Sequence, residues 1–122
     1  MITPGSVAAG GAYVNSYEIT APARVVNVSG QIPVDPYGEV PEGFAAQCRQ
    51  VWANVAAVLA QHDMGLSDLV KVTTFLSDRA YRAENATIRR EILGDHTPAL
   101  TIIITGIYDE SWLLEIEAIA AR

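Results

Sequence analysis

The segment from Pro98 to Arg122, PALTIIITGIYDESWLLEIEAIAAR, constrains the fold most. Two apolar runs, Leu100–Thr105 and Leu113–Ala120, flank the polar stretch Tyr108-Asp109-Glu110-Ser111. That pattern predicts two neighbouring strands joined by a loop, paired as a hairpin. In the second run Glu115 and Glu117 alternate with Leu114, Ile116 and Ala118. A period of two sends both carboxylates to one face and the apolar set to the other. Two acids on one strand face have two explanations. Either that face is simply solvated, or Glu115 lies in a pocket opposite the first run, where a carboxyl with a shifted pKa handles protons or orients water.

Upstream, the most regular feature is the spacing of Phe44, Cys48, Val51, Trp52, Val55, Val58 and Leu59, three or four apart between Phe44 and His62, which predicts one face of a helix. Cys48 falls in that stripe and reads as a small buried hydrophobe rather than a reactive thiol. His62 reads as a dipole partner near the helix C-terminus, and Gly65 lies close to the expected stop. Leu69 to Leu76, β-branched and apolar with Lys71 as its only charge, predicts a strand. Ser77-Asp78 offers an N-cap for a second helix over Arg79 to Leu93, ended by Gly94 and followed by Pro98. Its stripe is Tyr81, Ile88 and Ile92, with Asn85 on the same face as a satisfied polar neighbour.

The beginning of the chain is less regular. Residues 1–12, rich in Gly, Ala and Ser, read as a flexible arm. Tyr13 to Ile19 and Arg24 to Val28 predict two short strands paired with each other, the second ending at Ser29-Gly30. Gln31 to Gly43, with three prolines and two glycines, predicts an ordered loop. The resulting order, β-β-α-β-α-β-β, is that of an α+β two-layer sandwich with both helices on one face of one sheet.

At 122 residues the chain fits one domain, residues 1–122. A net charge of −6 with no basic run argues against nucleic acid as a partner. One cysteine and two distant histidines give no metal-ligand spacing, and they fit the reducing cytoplasm. No apolar run is long enough for a membrane span, and the N-terminus lacks the pattern of a signal peptide. Residues of both parities are apolar in Leu100–Ile104, and Val70 and Val72 share a strand with Leu69 and Phe75. Two helices cover only one side of a sheet, so the other side predicts a partner surface, met most simply by homo-oligomerisation.

Four ordered pieces of the chain resemble the RidA (YjgF-type) family of reactive-intermediate deaminases. They are Val28-Ser29-Gly30-Gln31-Ile32-Pro33-Val34-Asp35-Pro36 with Gly38-Glu39-Val40 and then Gln47, Gln50 and Asn54; Val70 to Asp78 with Asn85-Ala86-Thr87; Pro98-Ala99; and Glu115-Ile116-Glu117-Ala118-Ile119-Ala120. Together they run from Val28 to Ala120. The resemblance implies a chorismate-mutase-like fold assembled as a homotrimer, with ligand clefts between subunits. It also implies hydrolysis of 2-imino or enamino acids to 2-keto acids and ammonia with no metal or organic cofactor. In the family's best-known branch an Arg after Pro-Ala grips the substrate carboxylate, and the first Glu of Glu-Ile-Glu positions the attacking water.

The Glu matches at Glu115, while the Arg position is Leu100. A neutral side chain does not reproduce a guanidinium fork, so a carboxylate substrate is disfavoured and the cleft is expected to prefer a neutral or cationic small molecule. The residues expected to line it are Gly30, Leu100, Ile102 and Tyr17, with Tyr13 competing for the last place. Three readings follow. The first is hydrolysis of an imine, enamine or related electrophile without a carboxylate, with Glu115 acting on water. The second is a non-catalytic small-molecule-binding or regulatory module. The third is the 2-imino acid deaminase itself, which needs an arginine from elsewhere, such as Arg24 or Arg122.

Overall fold

The computed structural model describes residues 1–8 and 11–122. The stripe from Phe44 forms α1 (Phe44–Ala60), whose buried face is Phe44, Cys48, Val51, Trp52, Val55 and Leu59 together with Gln47. Gly43, at φ 88°, turns the preceding loop into it. The helix ends in a Schellman turn. Met64 N–H donates to the Leu59 carbonyl (3.0 Å) and Asp63 N–H to that of Ala60 (3.2 Å), with Asp63 left-handed at φ 55°. The left-handed stop is therefore Asp63. Gly65 instead opens a 3-10 turn, Leu66–Asp68, and donates its N–H to Asp68 Oδ2 at 2.9 Å.

The strands are β1 (Ile2–Pro4), β2 (Tyr17–Ile19), β3 (Val25–Gln31), β4 (Leu69–Leu76), β5 (Ala99–Ile104) and β6 (Leu114–Ala121). A 3-10 turn at Arg79–Tyr81, capped by Asp78 Oδ1 accepting from Ala80 N–H at 2.8 Å, leads into α2 (Arg82–Leu93). The α+β order is the expected one, with one additional short strand at the front. Residues Ala9 and Gly10 of the expected arm lie outside the described residues. Its first part is β1, which pairs antiparallel with β2.

Two pairings differ from expectation. β2 does not pair with β3; it pairs with β1 as a separate two-stranded sheet. β5 and β6 are not a hairpin, because the main sheet has the order β3-β6-β4-β5 and β4 separates them. The connection through α2 brings β5 back parallel to β4, on its outer side. Residues 105–113 then carry the chain back across the end of β4, and β6 enters between β3 and β4, antiparallel to both.

Register fixes the two faces. Val72, Thr74 and Leu76 stand opposite Ala118, Ile116 and Leu114, and all six are buried on the helix side. α1 covers β6 and β3 there, with α2 beside it. The other face alternates Asn27, Lys71, Thr73, Thr101 and Glu117 with Val25, Phe75, Ile103 and Ile119. It is thus half polar, less apolar than the sequence suggested. The apolar excess concentrates on the edge strand β5, where Ile102, Ile103 and Ile104 are 37%, 40% and 38% exposed on both faces. Among the described residues no helix is long and apolar enough to cross a membrane.

Candidate functional site

Glu115 is the second residue of β6, between the buried Leu114 and Ile116, so its side chain leaves from the face the helices do not cover. Beside it runs β3, which does not stop at Ser29-Gly30 but continues to Gln31 through a bulge: Val28 faces Ala118 and Gln31 faces Ile116. The extra residue re-aims the strand where Gly30 meets Glu115. A Cβ placed on Gly30 would lie 2.8 Å from Glu115 Cδ and 3.2 Å from Cγ, and nearer still to Oε2. The missing side chain is therefore the seat of the carboxylate. Glu115 is half-buried and forms no ion pair among the described residues.

Two side chains of α1 hold both walls of this seat. Gln47 is buried; its Nε2 donates to the carbonyls of Pro41 (3.1 Å) and Ser111 (3.0 Å), and its Oε1 accepts from Leu113 N–H (2.8 Å). That fixes the chain immediately before Leu114-Glu115. Asn54 Nδ2 donates to the carbonyls of Ile32 (2.9 Å) and Val34 (3.0 Å), and its Oδ1 accepts from Gln50 Nε2 (2.9 Å). That fixes the proline-rich loop immediately after Gly30-Gln31. The sequence placed Gln47, Gln50 and Asn54 on the helix without assigning them this work. A polar residue recurring on an otherwise apolar stripe was the available signal.

The remaining expected residues lie elsewhere within one chain. Leu100 and Ile102 stand opposite Val72 and Thr74, on the helix-side face of β5, and Leu100 packs against the core. They face away from Glu115, with β4 between. Ile102 and Ile104, with Arg79 and Arg82, line a groove of about 340 Å3. Tyr17 is at the opposite end of the sheet, its ring 6.4 Å from that of His96 and its phenol pKa raised by burial. Of the expected set, Gly30 is thus the residue that one chain brings to Glu115, while Leu100 and Ile102 lie together on the other face and Tyr17 lies apart. Of the arginines considered as replacements, Arg24 donates to the His62 carbonyl and Arg122 pairs with Asp68 at 3.1 Å, so both are engaged within the chain.

Cys48 behaves as expected: it is fully buried and burial pushes its thiol up to about 12. Asn85 differs. It is buried, its Oδ1 meets only the Cys48 sulfur at 3.8 Å, and its Nδ2 has no hydrogen-bond partner. Among the described residues there is no group of three or more His, Cys, Asp or Glu side chains arranged to hold a metal.

Known proteins are similar to this chain in sequence and in fold. The family model described as Endoribonuclease L-PSP matches residues 4–122. A RutC family protein of Pyrococcus horikoshii is 37% identical over 78% of this chain and 77% of its own length. The 2-iminobutanoate/2-iminopropanoate deaminase of Escherichia coli K12 is 35% identical over 98% of this chain and 94% of its own. Among solved structures, the YjgF gene product of E. coli superposes with a TM-score of 0.77 at 33% identity, each chain covered to 98%. E. coli TdcF with bound serine gives 0.77 at 29% identity, covering 98% of this chain and 93% of its own. With the fold, the ordered motifs and near-complete coverage in agreement, the chain belongs to the RidA (YjgF-type) family, with Leu100 at the position after Pro98-Ala99.

Proposed function

We propose that this protein works as a cytoplasmic single-domain homotrimer, binds a small neutral or cationic metabolite in clefts between subunits, and hydrolyses an imine or enamine that carries no carboxylate. The observation that carries the proposal is the Glu115 carboxylate seated over Gly30. A carboxylate held without an ion-pair partner accepts a proton from water as the water oxygen adds to the C=N carbon. Glu115 passes that proton to the imine nitrogen, giving a carbinolamine, and then relays the carbinolamine hydroxyl proton to the amino group as the C–N bond breaks, so that ammonia leaves and a carbonyl compound remains. No cofactor enters this scheme.

The assembly is supported by the placement of the other residues. Leu100 and Ile102 lie on the far face of β5 from Glu115, and that strand exposes three isoleucines at a sheet edge. A second copy docking β5 against the Gly30–Glu115 face would bring the two sets together and cover the apolar excess. The preference for ligands without a carboxylate rests on Leu100: an anion desolvated between an aliphatic side chain and Glu115 is unfavourable by several kcal/mol, on the order of a thousandfold in rate. The same absence of charge supports a second reading, a binding module without turnover.

The test uses freshly generated imines. Incubation with a non-carboxylate imine is expected to release ammonia faster than buffer does, with Glu115→Gln removing the gain. For 2-aminoacrylate, pyruvate release should be slow in the wild type and should appear in Leu100→Arg. Rapid pyruvate release by the wild type would overturn the carboxylate argument. Ligand-dependent stabilisation by amines or neutral carbonyls without turnover would establish the binding module. Native mass measurement reads the assembly directly, and a monomer would refute the cleft.

A further inference from the structure

The inward face of α2 carries a cation that no carboxylate among the described residues answers. Arg89 is 5% exposed, forms no ion pair among the described residues, and its Nη1 is buried without a hydrogen-bond partner. Burial, with Arg90 adding to it, lowers its pKa, yet a guanidinium keeps its proton at any working pH. Cys48 nearby does not compensate, because the thiol stays neutral. An unpaired charge in such a place is strongly unfavourable unless an anion reaches it.

The route for one is present. Arg89 lines a cavity of about 320 Å3 between the last turn of α2 and the start of β5. Arg90 is at its exposed rim, and Thr97 adds a hydroxyl donor. His96 completes the polar side, its ring held by a 2.7 Å bond between Nε2 and the Leu69 carbonyl. Leu93 gives an apolar wall, and Gly11 and Gly94 line the rest. Asp95 also faces it, which disfavours a dianion and leaves a partner for a ligand ammonium.

We propose that this cavity binds a small monocarboxylate, its carboxylate seated on the Arg89 guanidinium. The volume admits a molecule of a few heavy atoms beyond the carboxylate. The site stands on its own observations and does not depend on the reading of Gly30 and Glu115, which lie on the other face of the sheet.

The experiment is titration of the full chain at low ionic strength, followed by calorimetry and thermal denaturation, with three probes: pyruvate, the uncharged analogue hydroxyacetone, and inorganic phosphate. Pyruvate is expected to bind and raise Tm with dose through Arg89, hydroxyacetone to give no response that depends on Arg89, and phosphate to bind more weakly. Arg89→Met keeps the volume and removes the charge. It should abolish the pyruvate response while the ligand-free Tm stays level or rises, whereas Glu115→Gln should leave the response intact. Should Arg89→Met fail to fold, Arg90→Ala carries the test through an affinity about threefold to tenfold weaker. Equal Arg89-dependent responses to pyruvate and hydroxyacetone, a pyruvate response surviving Arg89→Met, or pyruvate affinity unchanged in Arg90→Ala would each overturn the proposal.

Discussion

The seat of Glu115 can be tested by filling it. Gly30 has a backbone outside the left-handed region, so alanine fits its conformation, and the three nearest atoms a methyl group would meet all belong to the Glu115 side chain. Taken alone, glycine to alanine at a compatible position stabilises by about 0.4–1 kcal/mol, because the unfolded chain loses freedom. With Glu115 present, the new Cβ would sit 2.8 Å from Cδ and 3.2 Å from Cγ, well inside contact distance. The carboxylate is the far end of a flexible, half-buried chain, so it swings out of its rotamer rather than unfolding the strand, at about 0.5–1.5 kcal/mol. The two effects oppose each other. Gly30→Ala should therefore leave Tm unchanged or lower it in the wild type, and raise it when Glu115 is already alanine. The expected coupling is about 1 kcal/mol, or roughly 3–6 °C for a domain of this size. Thermal denaturation of the wild type, the two single variants and the double variant measures it. A Gly30→Ala effect equal in both backgrounds would show that the carboxylate does not occupy the space over Gly30.

Gln47→Leu removes three bonds and orphans the carbonyls of Pro41 and Ser111 and the N–H of Leu113; a loss of about 2–4 kcal/mol is expected in denaturant titrations, and a loss below about 1 kcal/mol would deny Gln47 its anchoring role. Cys48, with its thiol pushed up to about 12, should resist iodoacetamide at pH 8 by on the order of a thousandfold relative to a free thiol and react once the chain is denatured; rapid native labelling contradicts its burial. Burial raises the Asp68 carboxyl, but the Gly65 N–H and the Arg122 guanidinium outweigh it and hold the group below its ordinary range. A depressed folded pKa gives stability that is complete above about pH 4 and disappears as pH falls. Asp68→Asn should accordingly lower stability by about 1 kcal/mol at pH 7 and flatten the loss on acidification; parallel pH curves for variant and wild type would refute this.

Local pattern carried the elements well and their neighbours poorly. β4 begins and ends where its β-branched run does, and α1 starts at Phe44 as its stripe predicts. Alternation also assigned Glu115 to the face opposite Leu114 and Ile116. Pairing is a different question, because a period of two tells which face a residue takes and says nothing of which strand lies beside it. Pro98–Arg122 has the look of a hairpin, yet it lacks the two-residue turn that would force one, and residues 105–113 are long enough to cross the end of β4. Arg89 escaped for another reason. It lies four residues beyond Asn85, in line with the buried stripe, but a charge on a helix is ordinarily read as facing water.

The separation of Leu100 from Glu115 follows from the same strand order. Had β5 and β6 been a hairpin, the two apolar runs would share an edge and one chain could form the whole cleft. With β4 between them, register places Leu100 among the helix-side residues and Glu115 among those of the opposite face. No rotamer carries a leucine side chain around an edge strand and across its neighbour. A cleft containing both residues therefore needs the β5 edge of a second copy. The substitution at position 100 and the three exposed isoleucines beside it accordingly belong to one problem, what that edge presents to its neighbour. Leu100→Arg reads the chemistry of the edge and the native mass reads its occupancy, so a monomer that gained activity from Leu100→Arg would break the link between them.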